Sequence, residues 1–310
     1  SAKSFVTIQD ALVAYPWMME PSIVMYYDKE AFTSVGLDPE SPPTTWDELI
    51  EYAEMLTTED RFGMDIAASY NFWFYTNNND QYMLTDDWSA ANVNNESMKE
   101  FAEFYKTIRN SNYCSQTPLK DQNVGVYAVL EGRSAIAFSG SWGVAAIDTD
   151  YPEKRDVIGV AAAPTKDGSP MHATSGGWNL VVDAKAKHPT EAGQWIEYML
   201  GDTSDPSKVA DFFVASNFSK FTTRKSVSDY LVANTAASND ERVQTIQSDI
   251  MPYVVAEPTY AWEIFQYGLN AFDDIAINGT DIDTAFNDME ALINQYIADN
   301  NLAGKNPRAK

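Results

Sequence analysis

Residues 11–56, ALVAYPWMMEPSIVMYYDKEAFTSVGLDPESPPTTWDELIEYAEML, constrain the fold most, because an apolar strand, a proline-marked turn and a capped amphipathic helix follow one another without a gap. Ser22 to Tyr27 is β-branched and aromatic enough to read as a buried strand. Pro16 and Pro21 flank it, and neither can donate to a central ladder, so the strand should enter a sheet rather than cross one. Thr45-Trp46-Asp47-Glu48 fits a capping box, in which the Thr45 hydroxyl and the Glu48 carboxylate each satisfy an orphan backbone donor. Pro42 and Pro43 keep the preceding chain extended. The helix that follows puts Trp46, Leu49, Ile50, Ala53 and Leu56 on one face.

The remainder alternates strands with helices, shows no internal repeat, and so points to the α/β class. Met98, Phe101, Tyr105 and Ile108 share a helical face within 97–110. YAVLEGRSAIAFSGS at 127–141 reads as a helix ending at Gly132 and a strand from Ala135 to Phe138. A further strand runs from Val157 to Ala162 and is ended by Pro164 and the Lys166-Asp167-Gly168 turn. Another is expected over Asn179 to Val182, then a helix with Ala192, Trp195, Ile196 and Met199 inward. Trp262, Phe265, Leu269, Phe272 and Ala276 form one helical face, Gly279 a C-cap signal, and Ile282, Phe286, Met289 and Ile293 a final helix.

Composition narrows the function. The 310 residues can bury a large core, and no apolar run is long enough to span a bilayer. With 45 acidic and 21 basic residues the formal charge is −24, which repels nucleic acid and anionic lipid. The single cysteine, Cys114, excludes an internal disulfide and a cysteine-based metal cluster, and His172 and His188 lack a third ligand at metal spacing. No metal site or cofactor is therefore expected. There is no G-x-S-x-G, H-E-x-x-H or phosphate loop.

The run Tyr26-Tyr27-Asp28-Lys29, Phe32, Gly36-Leu37-Asp38-Pro39 and Thr45-Trp46-Asp47-Glu48-Leu49 resembles the family 1 extracellular solute-binding proteins of ABC sugar importers, the maltose-binding-protein-like group. Leu130, Gly132, Ser134, Ala135, Ile136, Gly140 and Trp142 resemble a second motif of that family, with Leu130 in place of the usual aromatic and Ile136 in place of the usual methionine. SGGWNLVV at 175–182 resembles its second crossover, and FTTRKS at 221–226 a further segment in which a threonine replaces the usual proline.

The resemblance implies a type II periplasmic-binding-protein fold, with two lobes and a hinge. It implies that Ala14 to Pro21 lines a ligand cleft, that 1–21 is a remnant of the first lobe with the hinge crossover, that 22–170 and 228–303 form the second lobe, and that 173–225 is the rest of the first. Members normally carry roughly a hundred residues ahead of the Tyr26-Tyr27 run, the size of a small domain. Ser1-Ala2-Lys3 looks like a cut start, so the first lobe is expected to be incomplete, with any signal or lipid anchor absent. Trp178, Trp195, Ile196, Phe212 and Phe213 should then be left uncovered, inviting self-association and weakening sugar binding by the isolated chain.

Binding candidates follow from the chemistry of sugars, whose C–H faces pack on aromatic rings while carboxylates and amides satisfy the hydroxyls. Trp142 follows a strand end and opens a helix, where α/β sheets place ligand contacts. Trp73 and Tyr70 belong to the aromatic cluster of 61–82. Trp17 and Glu20 lie in the implied first crossover and Gly177 and Trp178 in the second, the Gly176-Gly177 pair permitting close backbone approach. Tyr260 and Trp262 lie in EPTYAW, which resembles a loop that delivers an aromatic residue to the cleft. The expected function is a non-enzymatic receptor that delivers a neutral mono- or oligosaccharide to ABC permease subunits outside the cytoplasm. The alternatives are a stand-alone carbohydrate-binding surface protein and a glycoside hydrolase, for which Glu20, Asp65 and Asp80 are the candidate acids, needing a separation of about 5 Å if retaining.

Overall fold

A computed structural model describes residues 2–66, 82–119, 125–201 and 204–308. Ten strands are present among them: β1 (Thr7–Ile8), β2 (Ala11–Leu12), β3 (Tyr15–Pro21), β4 (Val24–Asp28), β5 (Phe62–Asp65), β6 (Ser134–Ser139), β7 (Ile158–Ala161), β8 (Thr174–Leu180), β9 (Phe221–Thr222) and β10 (Val255–Ala256). They form a β1–β2 hairpin, a first sheet in the order β10-β8-β3-β9 and a second in the order β5-β6-β4-β7. Both four-stranded sheets are mixed: β10 runs parallel to β8 and β5 parallel to β6, while the other pairings are antiparallel.

The single strand expected over Ser22 to Tyr27 is the second of two. β3 belongs to the first sheet and β4 to the second, separated by Ser22 and Ile23. Pro21 explains the break, since it closes the β3–β8 register opposite Ser175 and offers no N–H to extend it. β4 is then buried on both faces, with Val24, Met25 and Tyr26 fully enclosed between β6 and β7. The strand expected over Asn179 to Val182 instead spans β8, and Val181 and Val182 are exposed beyond its end. β10 pairs with the first sheet although it lies inside the stretch that the resemblance implies for the second lobe.

The second sheet is covered by helices whose apolar stripes match the periodicity. Helix Trp46–Leu56 opens on the capping box: the Glu48 N–H donates to Thr45 Oγ1 at 3.1 Å, and the Thr45 N–H to Glu48 Oε2 at 3.2 Å. It buries Leu49, Ala53 and Leu56 completely, each leucine worth about 2–3 kcal/mol. Trp46 stacks on Phe104 at 4.3 Å, and Phe101 of the same helix, Glu96–Arg109, packs 5.1 Å from Phe272 of helix Trp262–Ile277. Helix Ile282–Asp299 completes this layer with Phe286 against Phe272.

Helix Pro189–Ile196 departs from expectation. Trp195 points outward at 53% exposure, Ala192, Ile196 and Met199 are half-buried, and Leu200 is the inward residue. That helix has no buried residue, and the backbone then passes into a π-turn at Glu197–Gly201 that buries Leu200. Of the residues expected to be uncovered, Trp178 and Trp195 are exposed at 58% and 53%, Ile196 and Phe212 are half-buried, the latter against Trp17, and Phe213 is fully buried in helix Ser207–Ala215.

The capping box yields a direct test. Thr45→Ala should lower unfolding free energy by about 1 kcal/mol in urea titrations without changing the slope, and an unchanged midpoint would show that the cap adds nothing here.

Candidate functional site

The sheets meet where four backbone segments lie side by side. The Ser22 N–H donates to the Thr174 carbonyl at 2.9 Å, and its hydroxyl to the same oxygen at 2.8 Å. The Val255 N–H donates to the Ala173 carbonyl at 2.9 Å, and the Ser141 N–H to the Pro21 carbonyl at 3.0 Å. These bonds bring the ends of β3, β6, β8 and β10 to one point.

A cavity of ≈150 Å³ opens there, lined by Glu20, Ser22, Trp142, Gly176, Glu257, Trp262 and Phe265. It is smaller than the roughly 300–1,000 Å³ of drug-sized pockets, so it holds one ring or one end of a longer ligand. Both sheets contribute: Glu20 and Gly176 from β3 and β8, Trp142 from the turn after β6. Trp142 opens helix Gly143–Asp150, and its ring lies across Gly140, where a Cβ would stand 2.0 Å away. Only glycine at 140 permits that ring position. Trp262 is half-exposed over the fully buried Phe265, ring centres 4.5 Å apart.

Each cavity carboxylate has a cation near it: Lys220 at Glu20 and Arg308 at Glu257. Lys220 pairs with Glu20, both side chains largely shielded, and its ammonium lies 5.8 Å from the Trp142 ring centre, within cation–π range. Glu257 approaches the first sheet at Gly176, where a Cβ would come within 2.5 Å of its Oε2. Burial first, and the neighbouring Glu20 charge second, push the Glu257 carboxyl above the usual carboxylate range, against a smaller opposing pull from Arg308.

The structure therefore brings Glu20, Trp142 and Trp262 together. Gly177, at φ +146°, lines an adjoining ≈100 Å³ cavity with Met18 and Glu257. Trp17 packs on Phe212 at 4.8 Å, Trp178 faces outward from β8, and Tyr260 lines a different cavity beside Trp88. None of those three lines the central cavity. Tyr70, Trp73 and Asp80 lie outside the described residues. Asp65 is buried in the second sheet, accepting from the Ser115 hydroxyl, away from the cleft. Sequence reasoning missed Ser22, Lys220, Glu257 and Phe265. Glu257 opens the EPTYAW segment already singled out for its aromatics, so its position was available; nothing in NFSKF marks Lys220.

Two mixed sheets stitched at repeated crossings, with an aromatic and acidic cavity at the junction, define an α/β fold of the periplasmic-binding-protein-like class. The sequence profile of the bacterial extracellular solute-binding protein family matches residues 2–205, and the chain belongs to that family. A probable ABC transporter-binding protein of Deinococcus radiodurans is 24% identical over 209 residues, 63% of this chain and 49% of that protein. The chain thus spans about half the length of that curated relative. The sn-glycerol-3-phosphate-binding periplasmic protein UgpB of Escherichia coli K12 is 58% identical over 33 residues, 11% of this chain and 8% of its own. Among solved structures, an ABC transporter solute-binding protein of Thermotoga lettingae bound with α-D-tagatose superposes with a TM-score of 0.79 at 20% identity, covering 94% of this chain and 74% of that one. The sugar-binding protein MalE of Xanthomonas citri does so with a TM-score of 0.79 at 19% identity, covering 98% and 76%. These likenesses establish the fold. No helix among the described residues is long and apolar enough to cross a membrane.

The raised Glu257 carboxyl has a defined sign. A group that holds its proton more tightly when folded costs stability as pH rises through and above the ordinary carboxylate value of about 4.3. Glu257→Gln should therefore be more thermostable than the parent at neutral pH, with the gap closing on acidification to about pH 4. A gap that is constant or widens on acidification would remove Glu257 from the cleft's charge balance.

Proposed function

We propose that this chain is the ligand-binding part of a receptor that captures a neutral carbohydrate and presents it to the permease of an ABC importer. The observation that carries the reading is the cavity at the lobe junction, where Trp142 and Trp262 offer ring faces while Glu20, Glu257 and Ser22 offer hydroxyl partners. Family membership supports capture rather than catalysis. The solved relatives bound with tagatose and maltose support a sugar as the ligand.

In this reading Glu20, Trp142 and Trp262 make first contact with the sugar, joined by Glu257 and Phe265. Residues 1–21 and 173–225 form the first lobe, with β10 added to it, and 22–170 and 228–303 form most of the second. The receptor works outside the cytoplasmic membrane, in the periplasm or tethered as a lipoprotein. The first lobe also leaves Trp178, Val181, Val182, Trp195 and Tyr198 exposed, all within 178–198, and a second copy of the chain is the proposed cover. Because each copy carries −24, added salt should strengthen that association in sedimentation experiments; a monomer at every salt concentration would exclude it.

Trp142→Ala should weaken sugar binding at least about tenfold, near 1.4 kcal/mol, in calorimetry against the sugar selected by a thermal-shift panel of neutral mono- and oligosaccharides. Unchanged affinity would take Trp142 out of the site. Glu20 and Glu257, the carboxylates lining this cavity, are the observation that favours hydrolysis as a rival. Incubation with oligosaccharides should release no new reducing ends, and their appearance, abolished by Glu257→Gln, would overturn the receptor reading.

A further inference from the structure

Successive residues at 256–258 serve different cavities. The Glu257 side chain enters the ligand cleft, whereas Ala256 and Pro258 line a second cavity of ≈570 Å³ on the other side of the same segment. Its remaining walls are the 82–88 turn, Tyr260 and the carboxy-terminal stretch 304–308. That stretch is fastened on three sides. The Gly304 N–H donates to the Asp87 carbonyl at 2.7 Å, and the Asn306 amide to the Asp86 carbonyl at 2.6 Å. The Arg308 guanidinium donates to the Glu257 carbonyl at 2.8 Å and the Phe5 carbonyl at 3.0 Å.

The turn is held in an unusual conformation. Trp88 has φ +60°, a left-handed backbone rarely adopted by a bulky residue, fixed by its N–H donating to the Thr85 carbonyl at 2.8 Å. The result places Trp88 in the cavity wall with Tyr82 and Tyr260. Tyr82 is itself anchored to the crossover by its hydroxyl, which donates to the Ala256 carbonyl at 2.9 Å.

We propose that this cavity is a second saccharide site, on the outer side of the crossover whose inner side forms the ligand cleft. Its volume falls in the range of small-molecule sites, about 300–1,000 Å³. Three separate aromatic side chains offer faces to sugar C–H groups, and Asp86, Thr85 and Asn306 offer hydroxyl partners. The cation in the wall, Arg308, already donates to two carbonyls, so a neutral ligand suits the site better than an anion. Because Ala256, Glu257 and Pro258 form a common wall, filling one cavity alters the affinity of the other, and the effect is reciprocal. The choice of a saccharide rests on the function proposed above; the cavity and its walls do not.

Amide hydrogen exchange with D-tagatose, maltose and mannotriose as probes separates the two sites. At about ten times its dissociation constant, a bound sugar should slow exchange about tenfold at amides of 85–92 and 304–308, in the parent and in Trp142→Ala alike. Trp88→Gly, whose backbone suits the left-handed position, should abolish that protection while sparing protection around 140–144 and 174–177. Should that variant be unstable, Asp86→Asn on the exposed turn should weaken it at least about threefold, provided its far-UV spectrum is native. Protection at 85–92 that vanishes in Trp142→Ala and survives Trp88→Gly would overturn the second site, as would its absence with all three sugars. Protection confined to 85–92 and 304–308 would instead uphold the second site and sink the cleft reading.

Discussion

The structure depends on a handful of hydrogen bonds between the segments that pass from one sheet to the other. Ser22 to Thr174, Val255 to Ala173 and Ser141 to Pro21 join four strands that are distant in sequence. Ala173, Thr174 and Ser141 are fully buried, so a donor or acceptor left unmade there costs about 1–3 kcal/mol. No one segment can separate from the others without that penalty. Glu20 and Glu257 lie in the same segments, so the candidate contacts sit where the two sheets are joined.

The charges of the cleft fit that arrangement. An anionic ligand would meet Glu20 and Glu257 together, and a cationic one would have to displace Lys220 from Glu20 and from the face of Trp142. A neutral polyhydroxyl ligand does neither, and its hydroxyls can donate to carboxylates that burial has deprived of water. Burial first, and the Glu20 charge second, raise the Glu257 carboxyl, since loss of water destabilises the charged form. A polynucleotide, disfavoured by the overall charge of −24, is disfavoured again at the site.

Local chemistry made much of the fold legible. The Thr45–Glu48 capping box, β6 and β7 to within a residue or so at each end, and the two closing helices all follow from spacing that short-range physics enforces. What was not legible depends on partners distant in sequence. Periodicity could not show that Pro16 to Tyr27 divides between two sheets, because both halves are equally apolar. Nor could it foresee the π-turn at Glu197–Gly201 that follows helix Pro189–Ile196. Of the residues gathered around the cavity, Trp142 is legible from the strand end before it and Glu20 and Trp262 from the family resemblance, whereas Lys220 becomes visible only with β9 placed beside β3.

The 256–258 segment shows how little machinery is needed to connect the cleft with the outer face. Extended backbone sends neighbouring side chains to opposite sides, so one strand end can contribute a ligand contact inward and a cavity wall outward. Arg308 grips the carbonyl of the same residue whose carboxylate enters the cleft. Any movement of Glu257 toward a ligand must therefore stretch, or carry with it, the tail that closes the second cavity. The energetic reach is bounded, because coupling between such sites is typically 1–3 kcal/mol and no ligand shifts an equilibrium beyond its differential affinity for the two states. Coupling of that size alters affinity by about 5–150-fold. On the proposal of a second site, a ligand in one cavity shifts the affinity of the other within that range.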